Sequence, residues 1–183
     1  MAKYALTGKN IRVQYGALPY RRNDVGELEI LLVTSRTRRR WIIPKGWPIK
    51  GLRPDESAAR EAFEEAGVRG PVRSRPIGRF LYSKLMDDEG KAILCEVEVF
   101  PLSVNRQYKE WPEMRQREVR WVAAGTAAAA TDEDGLRPLL QAFAEKMMVK
   151  KKWQSQKVHN ANQIDTQRPS ENLPFASCEG RDS

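Results

Sequence analysis

The chain has 183 residues, with 32 Lys and Arg against 24 Asp and Glu, and a formal net charge of +8 at pH 7. This length predicts one domain with a sizeable core, and the lack of a run of about 18 apolar residues predicts no membrane span. One His and two Cys leave a His-based site, a cysteine zinc site or a Ser-His-Asp triad without obvious donors, and two thiols with no signal peptide favour a cytoplasmic protein.

Six segments rich in β-branched and large apolar residues are predicted strands. They are residues 11–19, 27–35, 41–43, 72–85, 92–104 and 117–122. Residues 87–90 predict a hairpin turn between the fourth and fifth strands. A helix is predicted for residues 55–66, after the third strand, because Pro54 suits a first turn and Asp55 suits a cap. Gly67 suits a left-handed cap at the other end of this helix.

The last third of the chain changes character twice. Residues 123–130 are rich in Ala and predict a short helix or turn. Residues 132–151 predict a longer helix, because their large apolar side chains recur at helical spacing and would pack into a core. Residues 154–183 are polar and predict a tail with little fixed structure. The predicted organisation is therefore an α/β domain over residues 1–153, followed by this tail.

The predicted helix carries a cluster of carboxylates. Glu61 lies three residues before Glu64 and four before Glu65, so all three side chains share one helix face. Like charges at this spacing repel each other by about 0.2–0.5 kcal/mol per exposed pair. Oxygen ligands of this kind suit Mg2+ or Mn2+. The alternative is a solvated acidic helix face.

The segment from residue 46 to residue 68 resembles the Nudix box, G-x5-E-x7-R-E-U-x-E-E-x-G-U, in which U is a bulky apolar residue. Seven residues fall on its fixed positions: Gly46, Arg60, Glu61, Glu64, Glu65, Gly67 and Val68. Leu52 stands where the pattern has Glu, and Ala62 stands at the first U. The resemblance implies a Nudix α/β/α sandwich with a mixed sheet and a catalytic loop-helix-loop. It also implies a hydrolase that cleaves pyrophosphate bonds.

The resemblance also assigns roles within the box. Glu61 and Glu65 are the leading ligands of Mg2+ or Mn2+, and Glu64 follows closely. Backbone carbonyls near Lys45 and Gly46 are expected to complete the shell. Arg60 lies four residues before Glu64 and is expected to orient it through a salt bridge. With Leu52 in place of the first box glutamate, Asp55 or Glu56 is the candidate cap or partner for Arg60.

A later loop, residues 107–118, adds three further carboxylates. Glu110, Glu113 and Glu118 are candidates for an additional ligand or for the general base, which is not fixed in this family. The alternative for each of them is an ordinary surface glutamate.

The basic residues lie mainly before the box, where residues 1–53 hold 12 Lys and Arg against 3 Asp and Glu. The densest cluster, residues 36–40, predicts a loop that binds phosphate through arginine, or alternatively a solvated basic loop. Residues 11–149 resemble the diphosphoinositol polyphosphate phosphohydrolases, a Nudix branch that also cleaves diadenosine polyphosphates. By that resemblance the candidate phosphate contacts are Arg12, Arg36 and Arg40. Arg38, in the same cluster, and Lys45, an addition to the branch pattern, are further candidates.

Three functions are compatible with these residues. The first is a metal-dependent pyrophosphohydrolase of small polyanions such as dinucleoside polyphosphates or diphosphoinositol polyphosphates. The second is an RNA 5′-pyrophosphohydrolase, and the third is a non-catalytic Nudix module that binds a polyphosphate or nucleic acid. Glu61, Glu64 and Glu65 argue against the third, and a small anionic substrate is favoured over nucleic acid as the partner. Trp47 either stacks on a nucleobase or covers the edge of the core.

Overall fold

The computed structural model describes residues 11–85 and 92–149. The hairpin turn predicted at residues 87–90 and the tail predicted at residues 154–183 lie outside them. The strands are β1 (Arg12–Arg22), β2 (Leu28–Thr34), β3 (Trp41–Ile42), β4 (Lys45–Gly46), β5 (Val68–Arg69), β6 (Gly78–Leu85), β7 (Ala92–Ser103), β8 (Arg106–Gln107) and β9 (Val119–Ala123). The helices are α1 (Pro54–Ala66), α2 (Ala127–Ala130) and α3 (residues 137–149), and a 3-10 turn (Asp134–Leu136) precedes α3.

Seven strands of the described residues form one mixed sheet. Its central order is β3-β2-β1-β7-β6, with β4 pairing with β1 and β9 pairing with β2. β1 and β7 run parallel, and the other pairs in this sheet are antiparallel. β5 and β8 form a separate antiparallel pair. The strand predicted at residues 72–85 begins at Gly78, because Pro76 lacks the N–H that a ladder requires.

One face of the sheet packs against α1. Its alternate side chains, such as Ala17 and Leu31, are fully buried against a stripe of alanines on the helix. That stripe consists of Ala58, Ala62 and Ala66, each fully buried. Small side chains bring the helix axis close to the strands, so Ala62 at a position where the box has a bulky residue fits this interface.

The opposite face of the sheet packs against α3. Tyr20 points away from the α1 layer, since strand side chains alternate between faces, and its ring centroid lies 5.1 Å from that of Phe143. Leu136 and Leu140 are fully buried. The α/β/α sandwich predicted from the sequence is therefore confirmed. Among the described residues, no helix is long and apolar enough to cross a membrane.

The chain divides into two units, residues 1–146 and residues 147–183. The second begins inside α3.

Residues 132 and 133 do not join the helix predicted at 132–151. The Asp132 N–H donates to the Trp41 carbonyl at 2.8 Å, and the Asp132 carboxylate accepts from the Trp41 N–H at 2.6 Å.

Candidate active site

The N-terminal end of α1 explains how the helix begins without a glutamate at position 52. Leu52 is 43% exposed, and the side chain that closes this end is Glu56, which accepts a hydrogen bond from the Arg53 N–H at 2.9 Å. The expectation that Asp55 caps the helix is wrong, since Arg53 occupies the cap position. Asp55 is buried in the first turn, where it accepts from Arg53 Nε at 3.0 Å. This ion pair keeps the pKa of Asp55 below its usual value.

The C-terminal end of α1 is joined to the loop of residues 108–118. Gly67 has φ 68°, the left-handed cap predicted from the sequence, and a Cβ there would lie 2.7 Å from the ring of Trp111. The Tyr108 N–H donates to the Gly67 carbonyl at 2.8 Å, and the Glu113 N–H donates to the Glu64 carbonyl at 3.0 Å. The loop is therefore docked on the last turn of the helix.

The three box glutamates converge on one cavity, each with a different environment. Glu64 forms the expected ion pair with Arg60, at 2.5 Å between Glu64 Oε1 and Arg60 Nε. Glu65 is buried, and it pairs with Arg117 and accepts from the Lys45 N–H at 3.3 Å. Glu61 is half-buried and packs against Gly46.

Gly46 is required by the close approach of Glu61. A Cβ built on Gly46 would lie 2.0 Å from Glu61 Oε1, a distance that no side chain can occupy unless Glu61 moves. Gly46 lies in β4, which pairs with β1 opposite Tyr15. The sheet therefore holds the backbone of Gly46 directly against the Glu61 carboxylate, which explains why this box position is a glycine.

The charges in the cavity shift one another's protonation. Burial raises the pKa of Glu61, and the neighbouring Glu64 and Glu113 raise it further. Burial also raises the pKa of Glu65, and Arg117 and Lys45 oppose that shift. The pKa of Lys45 is lowered by burial, against the effect of Glu65. A cation bound at the cavity would stabilise the ionised forms of Glu61 and Glu65.

The chemistry of this donor set fits Mg2+ or Mn2+, which prefer oxygen ligands. In the part of the chain that the structure describes, no three Asp, Glu, His or Cys side chains already surround one point as a metal cage. Glu64 and Glu65 each direct an oxygen toward a guanidinium. The residues present are Glu61, Glu64 and Glu65, beside the backbone of Gly46.

One of the three carboxylates predicted from the later loop faces the cavity. Glu113 lines it, and its Oε2 accepts from Arg117 Nε at 2.5 Å. Glu118 is instead exposed and pairs with Arg39 outside the cavity lining, and Glu110 is exposed and is not part of that lining.

The basic side of the cavity is a turn of residues 35–40, hereafter the arginine turn. Arg36 and Arg38 line the cavity and are exposed, and Arg36 Nη1 lies 3.7 Å from Glu113 Oε1. Arg38 makes no hydrogen bond or ion pair with any described residue. Arg40 also lines the cavity, but it is tied to Glu133 at 3.5 Å. Arg39, with φ 55°, turns outward to Glu118.

The two remaining predicted cations differ in their relation to the cavity. Lys45 lines it, with its Nζ 4.5 Å from the centroid of the Tyr82 ring. Arg12 does not line it, and its guanidinium lies 4.3 Å from the ring of Trp47. Lys84 Nζ lies 4.7 Å from the same ring. Trp47 is thus half-buried at the cavity wall and in contact with two cations.

Sequence reasoning missed three charged residues of the cavity lining. Arg117 is buried between Glu65 and Glu113, and the signal for it was its position four residues after Glu113 in the later loop. Glu133 is buried, with a pKa raised by burial and opposed by Arg40. No sequence signal marked Glu133 or Lys84. The cavity that these residues share has a volume of about 520 Å³.

Comparison with known proteins agrees with this geometry. A family model described as the NUDIX domain matches residues 12–143. Nudix hydrolase 12, mitochondrial, of Arabidopsis thaliana is 29% identical over 177 residues, which cover 85% of each chain. The Mus musculus diphosphoinositol polyphosphate phosphohydrolase 3-alpha is 36% identical over 88 residues, which cover 48% of this chain and 49% of that protein.

A solved structure of the Ap4A hydrolase of C. elegans has the same fold. Its TM-score is 0.53 at 19% identity, and the match covers 75% of this chain and 99% of that one. The box glutamates line one cavity, and the family model spans the sandwich. The chain therefore belongs to the Nudix family, whose members are enzymes that hydrolyse pyrophosphate bonds.

Proposed function

We propose that this protein is a divalent-metal-dependent pyrophosphohydrolase of small polyanions, such as dinucleoside polyphosphates or diphosphoinositol polyphosphates. The observation that carries the proposal is the composition of one cavity. Glu61, Glu64 and Glu65 line it together with Arg36, Arg38 and Lys45. Phosphoryl transfer requires positioning and charge neutralisation more than covalent chemistry by the protein, and both kinds of charge are present here.

Glu61, Glu64 and Glu65 are the side chains that would hold Mg2+ or Mn2+, beside the backbone of Gly46. The chemistry that such an ion supplies is neutralisation of phosphate charge and a lowered pKa of bound water. The protein's own contribution is orientation, since Arg60 and Arg117 fix the directions of Glu64 and Glu65. Glu113 is the later-loop carboxylate that we propose as an additional ligand or general base.

The arginine turn is the proposed phosphate-binding element. A guanidinium binds phosphate with two parallel hydrogen bonds, and Arg36 and Arg38 have exposed guanidinium groups at the cavity. The names of two related proteins, an Ap4A hydrolase and a diphosphoinositol polyphosphate phosphohydrolase, support the same substrate class. The cytoplasmic location stays a prediction from the sequence.

The test is a substrate panel with the purified chain in Mg2+, in Mn2+ and with EDTA. It contains diadenosine tetraphosphate, a diphosphoinositol polyphosphate, ADP-ribose, a nucleotide sugar and 5′-triphosphorylated RNA. We expect metal-dependent turnover, with the highest kcat/KM on one of the first two. Highest kcat/KM on the RNA would favour the RNA enzyme, and tight binding without turnover of any compound would favour the non-catalytic module.

A further inference from the structure

Arg117 is a buried arginine that connects three separate parts of the fold. Its side chain is 5% exposed. Nη1 donates to the Thr34 carbonyl at the end of β2 at 2.8 Å, and Nε donates to Glu113 Oε2 at 2.5 Å. Nη2 donates to Glu65 Oε1 on α1. The guanidinium therefore joins the sheet, the box helix and the later loop.

Stability alone is a poor explanation for such a group. Desolvation of buried charges offsets much of their mutual attraction, and well-packed apolar side chains of the same volume are often as stable. The geometry of the partners is more informative. Arg117 holds one oxygen of Glu65, and the other oxygen faces the Lys45 N–H of β4 at 3.3 Å. Both oxygens of Glu65 therefore have a fixed direction.

Glu113 is fixed in a similar way. Its backbone N–H is bonded to the Glu64 carbonyl at 3.0 Å, which docks the later loop on α1. Its Oε2 is held by Arg117, and its Oε1 lies 3.7 Å from Arg36 of the arginine turn. Arg117 thus fixes the position of Glu113, which lies outside the box, relative to Glu65 of the box. Both carboxylates line the cavity.

We propose that Arg117 is a positioning residue for the metal-dependent reaction, and that its fork holds Glu65 and Glu113 in register at the cavity. This inference rests on the proposed function for the reaction that it serves. Partners that orient metal-binding side chains typically change metal affinity or activity about 10–100-fold when they are removed. A lysine at position 117 keeps the charge but presents a single ammonium instead of a planar fork.

Charge and geometry predict different results for Arg117→Lys. If the positive charge alone matters, the variant binds metal and turns over substrate like the wild type. If the fork positions the two carboxylates, kcat falls about 10–100-fold and the Mn2+ concentration for half-saturation rises by a similar factor. KM changes less than kcat, because the exposed arginines of the arginine turn are untouched.

The matched control is Arg120→Lys. Arg120 is a half-buried arginine three residues later, stacked at 3.9 Å on Trp41 and bonded to the Ala130 carbonyl at 2.7 Å. It does not line the cavity. We expect Arg120→Lys to lower Tm without changing kcat or Mn2+ half-saturation, so that a loss specific to Arg117→Lys is not a general effect of replacing a packed arginine.

The measurements are kcat and KM on the most active compound of the substrate panel, Mn2+ titration by electron paramagnetic resonance, and Tm by circular dichroism. Wild-type kcat and wild-type Mn2+ binding in folded Arg117→Lys would overturn the proposal. If that variant does not fold, Glu113→Gln decides, since it removes one carboxylate and leaves the Arg117–Glu65 pair. We expect its kcat to fall about tenfold in the folded variant, with a lower Tm because the buried Arg117 loses one charged partner. Unchanged kcat and Mn2+ binding would overturn the inference.

The two proposals fail in different ways. If the wild type turns over no compound of the panel, the proposed function is wrong, and the Mn2+ titration of the same variants still decides whether Arg117 positions the carboxylates. If the wild type is active and Arg117→Lys matches it in both measurements, the positioning role is wrong and the proposed function stands.

Discussion

The cavity lining contains two oppositely charged sets of residues, here called the acidic wall (Glu61, Glu64 and Glu65) and the basic wall (Arg36 and Arg38), and they are held in different ways. On the acidic wall, Glu64 and Glu65 each have a basic partner, and Glu65 is buried with its partner Arg117. On the basic wall, Arg36 and Arg38 are exposed, and Arg38 has no hydrogen-bonding or ionic partner among the described residues. The acidic wall is thus ordered in advance, whereas the basic wall keeps cations available for a ligand.

This difference assigns separate roles to the walls. A buried, paired carboxylate is costly to move, so changes on the acidic wall should alter the rate of the reaction. An exposed arginine can exchange water for phosphate at low cost when it is unpaired, as Arg38 is among the described residues, or held by one long contact, as Arg36 is by Glu113 at 3.7 Å. Changes on the basic wall should therefore alter substrate affinity. Four variants test this division, in order of decreasing expected effect.

Glu65→Gln should have the largest effect. It removes the charge of a buried box carboxylate but keeps its shape, so the fold should persist while kcat falls by more than about 10²-fold. Release of inorganic phosphate or of a nucleotide product in Mg2+ measures the rate, and circular dichroism checks the fold. Turnover equal to that of the wild type would remove Glu65 from the proposed metal site.

Gly46→Ala should come second. The new methyl group would lie 2.0 Å from Glu61 Oε1, and the end of the Glu61 side chain must move away. We expect kcat to fall about 10–100-fold, since a displacement of this size disturbs a reacting geometry. Gly26→Ala is the control, because its Cβ meets nothing within 4 Å while its φ of 77° costs stability. Equal activity of both variants would contradict the role of the Gly46 contact.

Arg36→Ala combined with Arg38→Ala should affect KM. The pair is preferable to any variant at Arg40, whose loss would leave the buried Glu133 without its arginine. We expect KM for diadenosine tetraphosphate to rise about tenfold, with a smaller rise for ADP-ribose and little change in kcat. Arg39→Ala is the matched control, because that side chain turns outward to Glu118. Equal rises for both substrates would remove the polyphosphate assignment.

Leu52→Glu should have the smallest effect. It restores the glutamate that the box pattern has at this position, but Leu52 is 43% exposed and Glu56 already bonds the Arg53 N–H. We therefore expect kcat and KM to stay within about twofold of the wild-type values. A twofold change in either constant corresponds to less free energy than one exposed ion pair contributes. A large gain in kcat would show that the start of the helix limits the reaction.

The acidic wall could be predicted from the sequence because helix spacing is regular. Residues three and four apart share a face whatever the rest of the fold does, so the convergence of Glu61, Glu64 and Glu65 followed from their numbering. The left-handed Gly67 followed from the same local rule. The identity of the cap did not, because Pro54 takes the first turn and the residue before it, Arg53, therefore occupies the cap position in place of Asp55.

The rest of the cavity depends on long-range contacts that no local pattern fixes. Arg117 reaches Glu65 across 52 positions of sequence, and Glu133 reaches Arg40 only because Asp132 is bonded to Trp41. The arginine turn was identified as a cluster, but the direction of each guanidinium depends on the backbone of the turn. That is why Arg39 points away from the cavity while its two neighbours line it.

The contact between Gly67 and Trp111 has a consequence for the dynamics of the protein. The later loop is bonded to the last turn of α1 through the Tyr108 and Glu113 amides, so neither amide can exchange its hydrogen with solvent until that turn opens. The helix end and the loop should therefore behave as one cooperative opening unit in native-state hydrogen exchange. A side chain at position 67 would displace the Trp111 ring. Substitution of Gly67 should therefore reduce the protection of the Tyr108 and Glu113 amides against hydrogen exchange by the same factor.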